Sequence, residues 1–201
     1  IQTTVAITGL QASENVLGID FRPANGQLYA LGSSSRIYTV NINTGVATPV
    51  GAPGTFTLVG TEFAFDFNPV PDRIRVVSNL GQNLRINPND GVTLTDGTVN
   101  PGTPTITAGG YTNSFAGTTT TTLYTVDSTG DVLNIQNPPN NGTQVAVGPL
   151  RQAATDEVVD EPERGQEGQR GDHGGGGRPV VHVLVDEEAA SVEQIQHDEQ
   201  R

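Results

Sequence analysis

The chain has 201 residues, 34% of them hydrophobic, and a formal charge of −12. That acidic balance argues against a nucleic-acid partner, because a phosphate backbone calls for a basic face. There is no cysteine, hence no disulfide, thiolate nucleophile or cysteine metal site, and no apolar run near the ~20 residues that cross a bilayer, so no membrane insertion is expected.

The averages conceal two different parts. Residues 1–150 hold all ten aromatic residues and every asparagine, with 9 acids against 5 arginines. Residues 151–201 hold no aromatic residue, 13 acids, 5 arginines and all three histidines. The chain opens on Ile1 and contains no methionine, so its first residue is expected to be internal to a longer protein. The absence of a visible signal peptide therefore excludes nothing.

In chain order, "TTVAITGL" (3–10) reads as an opening strand. A short apolar strand follows, "GIDF" (18–21), and runs into a turn at Asn25-Gly26. A second strand, "QLYAL" (27–31), leads through "GSSS" to a third, "RIYTVNI" (36–42). An Asn/Gly turn then gives an outer strand, "ATPVG" (47–51). The same outline returns 46 residues later. Asp20, Phe21 and Pro23 meet Asp66, Phe67 and Pro69, while Asn41, Asn43 and Gly45 meet Asn87, Asn89 and Gly91. The second copy reads "AFDF" (64–67), a Pro71-Asp72 turn, "RIRVV" (73–77) and "QNLRIN" (82–87). A third, degraded copy has lost the Asp-Phe pair in "GYTNSF" (110–115). It keeps "TLYTV" (122–126), "VLNIQ" (132–136) and "QVAVG" (144–148).

Strands of four to six residues at this spacing, with no helical period before residue 150, mean an all-β protein. A period in the forties with four strands per unit is the signature of a β-propeller blade, with a sandwich or solenoid as the other reading. A four-stranded sheet with apolar residues on both faces cannot bury both alone, and stacked neighbours can. Leu28, Leu31, Ile74, Val76 and Leu123 are therefore expected to be buried between sheets. Propellers close with about four to eight blades. Three units make an incomplete ring, either because the chain is a fragment or because another copy completes it.

These motifs, in this order, resemble the bacterial domain of unknown function 4394 over nearly all of residues 1–150. The resemblance implies a propeller-like repeat protein, commonly exported, hence an extracellular, cell-surface or periplasmic location. The family brings no established activity, so no catalytic residue, cofactor or metal site carries over. It also implies more repeat beyond "VAVGPL", where this chain changes character.

Residues 151–201 have the composition of an acidic, Gly-rich linker up to about residue 179. A strand ("PVVHVLV", 179–185) and a short helix are expected beyond it. Two readings stand side by side: an evolved tail, expected to be largely disordered, and an out-of-frame product beginning at 150/151.

Several residues invite a site. Asp20 and Asp66, at equivalent positions, could ring a cation, or each could accept N–H bonds from the turn that follows it. "NPNDG" (87–91) and "DSTGD" (127–131) echo calcium loops but lack the full ligand pattern, and read as hairpin turns. Arg73, Arg75 and Arg85 could hold an anion, or form a solvated face or pair with Asp66 and Asp72. Asn141-Gly142-Thr143 fits a glycosylation sequon. His173, His182 and His197 lack metal-ligand spacing. Residues 1–150 contain no histidine and only two glutamates, Glu14 and Glu62, which counts against acid–base chemistry. The sequence thus reads as a non-enzymatic binding or scaffold module for a protein or glycan ligand. The alternative is a lactonase- or lyase-like propeller enzyme with a cation at the channel mouth.

Overall fold

In a computed structural model, the structure describes residues 4–150, which lie within the compact unit Ile1–Gln152. The expectations for residues 151–201, including the three histidines, fall outside the described residues.

Twelve strands form three antiparallel four-stranded sheets, each a simple meander. The first sheet holds β1 (Val16–Phe21), β2 (Leu28–Gly32), β3 (Arg36–Val40) and β4 (Ala47–Val50). The second holds β5 (Phe63–Asn68), β6 (Arg73–Ser78), β7 (Asn83–Ile86) and β8 (Thr93–Thr95). The third holds β9 (Ile106–Tyr111), β10 (Leu123–Asp127), β11 (Val132–Gln136) and β12 (Gln144–Pro149). Among the described residues there is no α-helix, only a 3-10 turn at Pro139–Asn141.

The repeat holds in register. Asp20 lies opposite Tyr29 and Asp66 opposite Arg75, again 46 residues on; Gly110 takes the same place opposite Tyr124. The turn residues match too. Gly26 and Asp72 sit at equivalent positions, both with positive φ, at 70° and 52°. A shared backbone conformation explains why glycine and aspartate alternate there. The opening strand expected at 3–10 is reduced to one parallel bridge, Thr8 to Val46. Its backbone still passes Gly45 closely: a Cβ there would lie 2.0 Å from the Ala6 carbonyl oxygen, so only glycine fits. In the later units Val50 approaches Gly91, and Gly97 approaches Gly142, in the same way.

The first strands lie side by side, β5 between β1 and β9. Period-2 alternation then directs each sheet's two faces to its two neighbours. From β5, Phe65 and Phe67 turn to the first sheet and Asp66 to the third. The interface between sheets one and two is apolar. Tyr29, Leu31 and Ile37 pack on Phe63, Phe65, Phe67, Ile74, Val76, Leu84 and Ile86. The Tyr29 and Phe67 rings meet edge to face, centroids 5.0 Å apart. Of the five residues expected to be buried, Leu31, Ile74, Val76 and Leu123 are, while Leu28 is only partly so and joins a second cluster with Ala30, Tyr38 and Val40. The outer face of the first sheet leaves Ile19 and Phe21 exposed, where their counterparts Phe65 and Phe67 are buried.

The interface between sheets two and three is different. Ala64, Val77, Val99 and Ile106 make a small apolar patch. The remainder is polar: Asp66, Arg75, Asn83 and Arg85 from the second sheet, and Tyr111, Thr125, Asn134, Gln136 and Gln144 from the third. Gln144 donates to Gln136 and accepts from the Thr125 hydroxyl. No buried side-chain polar atom among the described residues lacks a partner, as a polar interface of this kind demands.

Candidate functional site

The aspartates of the first strands act between sheets. Asp20 Oδ1 accepts from its neighbour Phe21 N at 2.7 Å, and Oδ2 accepts from Phe67 N, on the next sheet, at 2.8 Å. Asp66 Oδ1 accepts from Tyr111 N, on the sheet after that, at 2.9 Å. The expected bonds to the following turn are not the ones formed. Each carboxylate instead caps an N–H on the free edge of the next sheet's first strand, which has no strand beside it on that side.

Burial raises the Asp66 carboxyl to about 8, with the Asp20 charge adding to the effect and the Tyr111 N–H opposing it. Burial also raises Asp20, against the Phe67 and Phe21 N–H groups. Native Asp66 therefore holds a proton that the unfolded chain, at an ordinary value of 3.8, releases. The stability this gives is full below about pH 4 and is lost as pH rises through about 8. We predict that the protein melts lower at pH 9 than at pH 6. We also predict that Asp66→Asn, which keeps the acceptor for Tyr111, removes much of that difference, on the order of 2 kcal/mol. Parallel thermal melts of both proteins across pH 5–9 check this, and an unchanged slope in the variant contradicts it.

Arg75 organises the second interface. Its side chain is 3% exposed. Nη1 donates to Asn83 Oδ1 at 2.8 Å and to Asp96 Oδ2 at 2.7 Å; Nη2 donates to Asn140 Oδ1 at 2.7 Å, and Nε to the Tyr111 hydroxyl at 3.3 Å. Arg85 donates from Nε and Nη2 to both oxygens of the same Asp96. Arg73 reaches only the carbonyl oxygens of Pro71 and Asp72. The pairing expected from sequence is thus corrected. Asp96 serves Arg75 and Arg85, Asp66 pairs with none of the three arginines, and Asp72 is taken by Arg22 of the first sheet. Nor is this a solvated face, since cross-strand Arg75 and Arg85 turn toward the third sheet.

All three arginines line one cleft of about 170 Å³, closed by Asn68, Pro71 and Ile74 on one side and by Pro139 and Asn140 on the other. At the equivalent place in the first interface stands Arg22. Arg22 Nε donates to Asp72 Oδ1 at 2.9 Å, and Nη1 to Asn89 Oδ1 at 2.8 Å and to the Tyr29 hydroxyl at 3.3 Å. Asp72 keeps the Arg22 guanidinium firmly charged, against the opposing effect of burial. One repeat later Asn68 stands where Arg22 stood, and Arg75 stands where Tyr29 stood. Asn140 receives the guanidinium as Asn89 does, but from a different strand. Sequence reading missed Asn68, Asp96 and Asn140. Setting Arg22-Tyr29 against Asn68-Arg75 in the aligned copies is the signal that could have found the cleft.

The other candidates take local duties. Asn87 and Asp90 accept from Asn89 N and Val92 N within the β7–β8 turn, and Asp127 accepts from Gly130 N and Thr105 N. Both segments are hairpin turns, as expected. Among the described residues no three His, Cys, Asp or Glu side chains group as a metal site would. Glu14 latches the lead-in to β1 onto β3. Burial works against its charge, but hydrogen bonds from the Ser34 and Tyr38 hydroxyls and from the Gln11 and Ser34 N–H groups hold it below its usual range. Glu62 accepts from Asn79 at 3.4 Å. Asn141 is exposed and Gly142 follows it at φ 71°. No helix of the described residues is long and apolar enough to cross a membrane.

Residues 1–160 match the family described as Domain of unknown function (DUF4394). The chain belongs to that family. The match runs past the compositional break at 150/151 and stops at residue 160. A search of curated proteins finds no match. Within this DUF4394 domain, the arrangement can join sheets through Asp20, Asp66 and Arg75, and can present cationic side chains in one cleft.

Proposed function

We propose that the DUF4394 domain is a non-enzymatic binding or scaffold module, built as consecutive propeller blades, exported, and directed at a protein or glycan ligand. One observation carries this. The side chains able to do acid–base or cation chemistry on the first strands, Asp20 and Asp66, are engaged by backbone N–H groups of neighbouring sheets. A general base must reach a substrate proton, and a cation at a channel mouth needs several free oxygens; carboxylates that hold sheets together serve neither task well. The exported location rests on the family resemblance, and the blade reading on three four-stranded meanders at a spacing in the forties.

The test is thermal denaturation with and without Ca²⁺, together with turnover assays on lactone and polyuronate substrates. The expected result is an unchanged melting temperature and no turnover. A Ca²⁺-dependent rise that disappears in Asp20→Asn, or turnover that disappears in Asp66→Asn, would replace this reading with that of a propeller enzyme.

A further inference from the structure

The cleft between the second and third sheets carries more charge than its surroundings neutralise. Arg73, Arg75 and Arg85 line it. Asp96 is the only carboxylate among the described residues that pairs with any of them, and it is shared by two. Asp72, next to Arg73 in sequence, has its carboxylate on Arg22. Asp66, opposite Arg75 on β5, stays neutral up to about pH 8 because it is buried near Asp20. Near pH 7 the described residues therefore leave the cleft with about two positive charges that no carboxylate among them pairs. Arg75 is held on four sides and acts as a fixed back wall. Arg73 uses only Nη1, on two carbonyl oxygens, and Arg85 uses Nε and Nη2 on Asp96. Nε and Nη2 of Arg73 and Nη1 of Arg85 remain as donors. A guanidinium matches the oxygens of a carboxylate, phosphate or sulfate in spacing and charge, and a partly enclosed site strengthens the attraction.

The first interface is the internal control. There the equivalent position holds a longer cationic side chain, Arg22, paired with its own counter-charge, Asp72, from the next sheet. In the second interface the shorter, uncharged Asn68 takes that position and lines the cleft, and its Oδ1 accepts from Val70 N within its own turn. Three cationic side chains line the cleft, and among the described residues Asp96 is the one carboxylate paired with them. The volume, about 170 Å³, is well beyond the ~10–15 Å³ a single water needs.

We propose that this cleft binds the oxyanion group of a small ligand, a phosphate, sulfate or carboxylate, through Arg73 and Arg85, with Arg75 as the fixed positive wall behind them. This gives the binding module of the preceding section a ligand chemistry and rests on that reading. The two fail separately: absent anion binding overturns this assignment alone, whereas turnover overturns the module.

The experiment titrates the ¹⁵N-labelled 201-residue chain with sodium phosphate, sodium sulfate or sodium acetate, with ionic strength held constant by sodium chloride. Saturable shifts are expected at the amides of Ile74, Arg75, Arg85 and Asn140. Saturation by all three anions assigns the general oxyanion class, and saturation by phosphate and sulfate only assigns the tetrahedral class. Arg73→Gln combined with Arg85→Gln should weaken binding at least tenfold, about 1.4 kcal/mol. Asn68→Asp, which keeps the acceptor for Val70 N and adds the missing counter-charge, should abolish it while leaving the rest of the spectrum in place. Shifts no larger than sodium chloride alone produces, or equal affinity in wild type and Asn68→Asp, overturn the assignment.

Discussion

Phe67→Ala is expected to cost ~3–5 kcal/mol in urea unfolding, while Phe21→Ala, at the equivalent position one repeat earlier, costs no more than about 1 kcal/mol. The two residues share a strand position, a preceding aspartate and a cross-strand partner type. They differ in what lies beyond them. Phe67 is 0% exposed and meets the Tyr29 ring, whereas Phe21 is 50% exposed on the outer face of the first sheet. Truncating Phe67 opens a cavity between two sheets that are held apart by nine other buried side chains and cannot collapse into it. Truncating Phe21 removes a side chain already half in water. Equal costs would contradict the stacking of sheet upon sheet as the source of stability.

Arg75→Ala is the second large effect, about 3 kcal/mol or more. The loss is not that of one salt bridge. It removes the donor to Asn83, Asn140 and Tyr111 at once and leaves Asp96, whose side chain is 8% exposed, with Arg85 alone. Buried acceptors without donors cost ~1–3 kcal/mol each where water cannot enter, and breaking a buried ion pair from one side falls in the ~3–5 kcal/mol range. Arg85→Ala is the comparison. Its side chain is 31% exposed and its removal leaves Asp96 paired with Arg75, so a cost under about 1 kcal/mol is expected. Urea unfolding of both variants separates these outcomes. A small loss for Arg75→Ala would mean that the polar interface holds the third sheet weakly.

What the sequence conveyed well was what depends on local pattern. The offset of 46 placed Asp20 on Asp66 and Gly45 on Gly91, and the strands expected between residues 18 and 87 and between 122 and 148 fell within a residue or two, whereas the opening strand at 3–10 is only a bridge and β8 and β9 were not anticipated. Strand alternation and turn chemistry act over two to four residues, so a single sequence records them. Partners set by sheet stacking were not recorded in this way. Asp20 bonds to Phe67, 47 residues on, through a backbone N–H that has no sequence signature. Asp96 was not singled out at all, although it pairs with two arginines, because its place depends on where the short β8 ends. The apolar stacking expected of every interface held for the first and not for the second. There "RIRVV" and "QNLRIN" supply Arg75, Asn83 and Arg85 to a buried face. Alternating arginines suggested solvent, and Asn140 and Tyr111 of the facing sheet, with Asn83 and Asp96 of their own, make that burial tolerable.

Polar side chains of one sheet hold the edge of the next. Native-state hydrogen exchange at two amides, Phe67 and Tyr111, tests it most directly. Both amides are expected to exchange as slowly as the β-ladder amides beside them. Asp20→Ala should release Phe67 but not Tyr111, and Asp66→Ala should release Tyr111 but not Phe67. Fast exchange at both amides in the unaltered protein, or protection that survives loss of the carboxylates, would contradict the claim.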